Sequence, residues 1–277
     1  MVCDCREIVS MNITFHKKDG NLALGIAFFW KLAIETRSPV VITDHLIPEL
    51  FFDYFFINEG KLTCLDEIQG VKYALPQQVL KTIHTRPLTL LVSTPLVFYG
   101  ARLSLRFAES FWGEMKANCF LRQAWVEKAC VKPGRNDSSD LDSFSSQVVK
   151  YLEAHRTKKS PYPMLSSDLE ESAWLVNFSE RHKRRLYKGM FGLSRKEIQS
   201  IRNVHSFLEQ SCDFAEETPR IIRHVNPEVF HDQPHLNHTF KKMTGFSPVE
   251  YFQANSILQD RLMSASYNEI SGEMGKL

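Results

Sequence analysis

No stretch of the 277 residues holds the roughly 18 uninterrupted apolar side chains that a membrane-spanning helix needs, so no membrane partner is expected. The opening MVCDCREIVSMNITFHKKDG is peppered with charge and lacks the apolar block of a signal peptide, which argues against export. Six cysteines, with no CxxC pair among them, are too few and too scattered for a disulfide framework. Reduced thiols in a cytoplasmic protein are the plain expectation. A Gly-rich phosphate loop and a nucleophile elbow are both missing. Net charge is nearly absent as well, +2 from 34 cations and 32 acids, and by itself names no partner.

What is present is the composition of a folded protein, 43% hydrophobic and 24% charged, at a length that suggests two domains. Twelve of the 20 Phe lie before residue 145. There the short apolar runs VVIT (40–43), LFFDYFFI (50–57), KLTCL (61–65), LTLLVS (88–93) and LVFYGARLSL (96–105) are parted by Pro, Gly, Asp and Asn. This is the pattern of strands and turns. Glu109–Asn118 and Leu121–Cys130 read as short helices. Leu141, Phe144, Val148 and Leu152 fall at helical spacing, an amphipathic face suited either to burial against the strands or to a dimer seam.

Beyond RTKKSPYP (156–163) the chain reads as helical. Ser167 with Glu170 and Ser194 with Glu197 are capping boxes, Ser179 is an N-cap, and Thr218-Pro219 and Asp232 open further helices. Trp174, Leu175, Phe178, Leu186, Phe191, Ile198 and Ile201 are the candidate core. An α+β chain is therefore expected. It would have a β-rich, barrel-like domain with helices at 1–157, a linker at 158–164, an all-α domain at 165–253 and a polar tail at 254–277.

Charge inside the helical part is uneven. Residues 180–196 carry seven cations against Glu180 alone, or +6, whereas 205–232 sum to −4. A displacement of 53 residues aligns 179–197 with 232–250, and six of the 19 pairs are identical. The identities are His182/His235, Lys188/Lys241, Met190/Met243, Gly192/Gly245, Ser194/Ser247 and Glu197/Glu250. Each copy predicts a capped helix ending at a left-handed glycine, then a box that opens the next helix. Two helix-turn-helix units joined by a linker helix follow from this, a construction that can lay two helices into successive major grooves.

The segment 165–253 resembles the DNA-binding domain of AraC/XylS-type bacterial transcription regulators. FSERHKRRLYKGMFGLS (178–194) is similar to that family's first recognition motif. VFHDQPHLNHTFKKMTGFSPVEYF (229–252) is similar to its more diagnostic second one, with Asp232, Gln233, His235, Phe240, Lys241, Gly245, Ser247, Pro248 and Tyr251 matching as they stand. More weakly, 47–60 and 97–105 resemble the β-rich sensor domain of a subset of these regulators. The resemblance implies a cytoplasmic, non-enzymatic regulator of double-stranded DNA, with a small-molecule effector and a homodimer as further partners. It places base contacts at Arg181, Arg184, Arg185, Gln233, Asn237 and His238. Arg suits guanine O6/N7, and Gln and Asn suit adenine N6/N7. Phosphate contacts would fall to Lys188, Arg195, Lys196, His235 and Lys241.

The chain departs from the family at Lys183, where a buried Leu is usual, and at Val229, where a glycine is usual. His224-Val225 and Asn226-Pro227 also break the pattern. Neither a metal nor a cofactor is expected. His224, His231, His235 and His238 lack an accompanying ligand set at helical spacing, and His16, His45, His84 and His155 are isolated. Two other readings stay open. One is a cupin-like enzyme with a helical appendage; the other is a protein-interaction module whose helix-turn-helix units have lost DNA binding.

Overall fold

The computed structural model describes residues 11–66, 71–110, 116–127, 139–156, 178–211, 233–253 and 256–274. Its spine is two long strands, β4 (Phe52–Asp66) and β7 (Leu88–Leu103), running antiparallel from Phe52↔Leu103 to Leu65↔Thr89. Each joins two of the apolar runs that the sequence separates. The pairing bends through register shifts on either side of Glu59, beside Gly60 at φ 88°. A Cβ at Gly60 would lie 2.5 Å from the Pro95 carbonyl oxygen, so only glycine fits both the conformation and the space.

The bend gives β7 two sets of neighbours. Its first half pairs with β3 (Val41–Leu46) and its second with β2 (Ile26–Thr36), which β1 (Met11–Asp19) flanks. On the far side β4 carries β5 (Val71–Ala74) and β6 (Gln78–Lys81), and β8 (Phe120–Arg122) extends β6. The resulting order is β1-β2-β7-β4-β6-β8, with β3 on β7 and β5 on β4. The β-rich half is thus an antiparallel sheet of eight strands, in which no pairing joins β1 to β8 among the described residues.

Both faces of the sheet are apolar, and the two-residue period of a strand sorts them. Phe29, Ala33, Phe52, Tyr54, Phe56, Val97, Tyr99 and Ala101 enter one core cluster. Phe28, Trp30, Leu32, Phe55, Ile57, Leu96 and Phe98 enter the other. The first face is covered by α2 (Ser139–His155), whose Leu141, Phe144, Val148 and Leu152 are all buried. The Phe144 ring centroid lies 5.4 Å from Tyr99 and 6.1 Å from Phe29. Of the two uses the sequence allows for this helix face, burial against the strands is the one realised, which leaves it no apolar stripe for a dimer seam.

Three expectations change. Residues 116–119 are irregular and 120–122 form β8, where the sequence suggests short helices; pairing with Val79–Lys81 overrides the local preference. The preceding helix, α1 (Leu105–Ser110), starts earlier than expected. The polar tail expected at 254–277 contains α7 (Leu258–Met274), which buries Leu258, Leu262, Met263 and Ala265. Leu258, Leu262 and Ala265 recur at helical spacing and join the second core cluster with Leu46 and Leu90.

Candidate nucleic-acid interface

In the helical half the duplication is realised residue for residue. Helix α3 spans Glu180–Phe191 and α5 spans Gln233–Thr244, twelve residues each and 53 apart. Both end at a left-handed glycine, Gly192 at φ 71° and Gly245 at φ 80°. The Gly192 N–H donates to Lys188 O at 3.0 Å and the Gly245 N–H to Lys241 O at 2.9 Å. A reciprocal box follows each time. The Ser194 N–H donates to Glu197 Oε2 at 2.7 Å and the Glu197 N–H to Ser194 Oγ at 3.2 Å. The Ser247 N–H donates to Glu250 Oε2 at 2.7 Å and the Glu250 N–H to Ser247 Oγ at 3.3 Å. These boxes open α4 (Arg195–Ser211) and α6 (Pro248–Gln253).

The boxes also set the charge of their acids. Burial works against the Glu197 carboxylate, but the hydrogen bonds from Ser194, with Lys188 nearby, outweigh it and hold its pKa below the ordinary value. The bonds from Ser247 do the same for Glu250. Both acids stay ionised at a helix N-terminus, where the macrodipole favours negative charge.

On α3 two stripes with the same i, i+3, i+4, i+7 spacing divide the surface. Lys183, Leu186, Tyr187 and Met190 are buried, while Arg181, Arg184, Arg185 and Lys188 are exposed. Ser179, extended at ψ 150°, caps the helix by accepting from the His182 N–H at 3.4 Å. Lys183, standing where the resemblance puts a leucine, keeps its stem covered and meets Glu180 Oε1 at 3.0 Å with its ammonium.

His182 was assigned no role from the sequence, although the repeat singles it out. Its ring stacks on Phe178 at 4.6 Å, and its Nδ1 accepts from Arg185 Nη2 at 3.0 Å. The contact draws the Arg185 guanidinium back toward the N-terminal turn of α3. Histidine and arginine at i, i+3 were the signal available in the sequence.

The expected phosphate-contacting residues fall into three states. Lys196 and Lys241 are exposed. Lys188 is exposed but donates to the Gly192 carbonyl at 2.8 Å, which uses one of its three N–H groups. Arg195 is half-buried, with its guanidinium 5.8 Å from the Tyr187 ring centroid. On α5, Asn237 and His238 are exposed beside Lys241, and Phe240 and Met243 are buried on the opposite side.

The side chains of Gln233 and His235 lie outside the described residues. So do Ser167, Glu170, Trp174, Leu175, Thr218, Pro219, His224, Pro227, Val229, His231 and Asp232, and with them the helix expected before α3 and the one expected before α5. The histidines of the β-rich half go to separate neighbours. His84 contacts the Thr82 carbonyl at 2.7 Å, His155 the Tyr151 carbonyl at 2.7 Å, and His45 the Thr89 hydroxyl at 3.2 Å.

No family model matches the chain, and no curated protein matches it. Among solved structures it is similar to ToxT from Vibrio cholerae (P21 form) at 12% identity, covering 88% of this chain and 98% of that one with a TM-score of 0.40. It is also similar to wild-type ToxT from Vibrio cholerae strain SCE256 bound to an unsaturated fatty acid. That match has 14% identity, 79% and 96% coverage and a TM-score of 0.37. ToxT from Vibrio cholerae O395 matches at 11% identity, 88% and 97% coverage and a TM-score of 0.38. At these scores the likeness establishes no residue-by-residue correspondence.

Proposed function

We propose that this chain is a sequence-specific, double-stranded DNA-binding transcription regulator of the AraC/XylS type. In this reading α3 and α5 are its reading helices, and the β-rich half senses a signal or pairs two copies. The observation that carries the reading is the doubled helix–glycine–box unit, each copy with its apolar side buried and a polar or cationic stripe exposed. A single charged helix face is ordinary solvated surface. A duplicated one, each copy ended by the same glycine and box at a constant displacement of 53 residues, is a construction that two neighbouring grooves of one duplex can accept.

Arg181, Arg184 and Arg185 on α3, and Gln233, Asn237 and His238 on α5, read base edges. Lys188, Arg195, Lys196, His235 and Lys241 hold the phosphates on either side. Because α2 spends its apolar face inside the chain, self-association would use another surface. No step of catalysis belongs to this reading, and neither metal nor cofactor is needed for it.

The test is a gel-shift and footprinting survey of genomic fragments. It should return discrete sites with two boxes on one face of the duplex, and affinity should fall linearly with the logarithm of salt. Uniform, weak binding to all fragments would rule the reading out.

A further inference from the structure

The β-rich half does more than sit beside the reading helices. The carboxylate of Asp44 on β3, 2% exposed, lies at the N-terminus of α7, 214 residues away in sequence. Its Oδ2 accepts from the Leu258 N–H at 2.7 Å, and its Oδ1 accepts from the Ser256 hydroxyl and from the His45 N–H. The first N–H groups of a helix have no partner within it, and a cap ordinarily comes from the residue just before. Ser256 stands near that place but gives its hydroxyl hydrogen to Asp44, so the sheet supplies the acceptor that caps α7. The dependence is mutual, because a buried carboxylate without these donors would carry a heavy desolvation cost.

Neighbouring contacts fix the rest of the helix. The Ile47 N–H donates to Gln259 Oε1 at 2.9 Å, and Lys17 Nζ donates to the Ala265 carbonyl at 3.0 Å. From α7 the packing leads to the second reading helix. The Tyr251 hydroxyl reaches Met263 Sδ at 3.3 Å, and Tyr251 meets Phe240 of α5 edge-on at 5.5 Å. The turn after α5 touches the sheet directly, with Phe246 edge-on to His45 at 5.4 Å. Helix α5 also meets the linker helix through Phe207 and Phe240 at 5.5 Å. Helix α5 is thus held from a second side, through Tyr251 against α7 and Phe246 against His45. The exposed side of α5, with Asn237, His238 and Lys241, stays open, so the anchor orients the helix and does not cover it.

We propose that Asp44 is a positioning residue for DNA reading: by capping α7 from the sheet it fixes the direction in which α5 meets the second box, relative to α3 on the first. The proposal rests on the DNA-binding reading above, and the test keeps the two apart. Full-length wild type, D44A, D44N and S256A are titrated against three duplexes. One carries both footprinted boxes, one has five base pairs inserted between them (about half a helical turn), and one carries only the α3 box.

Wild type should prefer the native spacing at least tenfold. D44A should lose fivefold or more on the native duplex, keep its affinity for the α3 box alone and discriminate spacing weakly. D44N retains an acceptor for the Leu258 N–H and should recover most of the preference. S256A, a milder lesion should D44A not fold, should show the same pattern at a smaller amplitude. A D44A or S256A protein as spacing-sensitive as wild type overturns the role of Asp44, and so does an equal loss on all three duplexes. A wild type indifferent to spacing overturns the DNA reading itself.

Discussion

Neutralising Arg184 and Arg185 by glutamine, singly and together, separates base reading from simple attraction to phosphate. Both side chains are exposed, so stability should change by no more than about 0.5 kcal/mol and melting should hardly move. If each arginine meets a guanine, each replacement should cost about 1–3 kcal/mol, roughly 5- to 150-fold in affinity, and relax preference at one position of the α3 box. The phosphate set behaves differently. Lys188, Arg195, Lys196 and Lys241 have described side chains, and four phosphate contacts imply a salt slope near −3.6. That corresponds to about a 150-fold loss of affinity between 50 and 200 mM salt. Replacing Lys196 or Lys241 by glutamine should flatten the slope by about 0.9 and weaken all sequences alike. Fluorescence-anisotropy titrations at four salt concentrations, on cognate and scrambled duplexes, measure both quantities. An R184Q/R185Q protein with unchanged affinity and unchanged preference would refute the assignment of α3 to bases and would favour an interaction module.

Three further outcomes are expected. Ser194→Ala removes the acceptor for the Glu197 N–H and should cost about 1 kcal/mol. That is a melting point lower by about 2–4 °C in a chain of this size, and an unchanged midpoint would count against the box. Phe144→Ala, which empties a site ringed by Phe29, Tyr54, Phe56 and Tyr99, should cost about 3–5 kcal/mol in denaturant titration while leaving the sedimentation coefficient unaltered. On pH, burial pushes His84 down to about 3 and lowers His205 below its ordinary 6.5, so both are neutral in the fold. The unfolded chain protonates them first. Their contribution is therefore full above pH 6.5 and lost progressively as pH falls toward the folded values, the loss from His84 continuing to about pH 3. Between pH 6.5 and 4.5, above the ordinary values of the shifted carboxylates, urea midpoints should fall for this reason, and a flat profile there would contradict it.

What could be read in the sequence is what is local. The end of α3 at Gly192 and the start of α4 at Ser194 need only a few neighbouring residues, and their spacing survives in the chain whatever packs against it. The same holds at Gly245 and Ser247. Strand β2 was invisible for the opposite reason. Phe29 and Ala33 face one core, Phe28, Trp30 and Leu32 the other, and Lys31 is buried among them. The run therefore shows no alternation between polar and apolar. Helix α7 carries no local start signal in the sequence because the group that caps it is Asp44, outside any local window. The three residues of β8 acquire their form only from β6. Of the site, the exposed stripe on α3 is legible from its helical spacing, whereas the i, i+3 spacing of His182 and Arg185 permits their hydrogen bond without specifying it.

The same contacts tie the linker helix to the centre of the sheet. Arg102 on β7 is fully buried and reaches Glu49 Oε2 at 2.5 Å and Asp53 Oδ1 at 3.4 Å, and its guanidinium lies 4.2 Å from the Phe51 ring centroid. Lys81 on β6 closes the group at 2.7 Å from Asp53. Burial alone would raise the pKa of Asp53, but Lys81 and Arg102 outweigh it and keep the carboxylate ionised. Removing any one member strands a buried charge and should be strongly destabilising. Pro48, next to Glu49, offers its carbonyl to His205 Nε2 of α4 at 2.7 Å. Adjacent residues thus join the buried charge group to α4, whose Ile198, Ile201, Val204, Phe207 and Leu208 are buried in the same core cluster as Phe52 and Leu103.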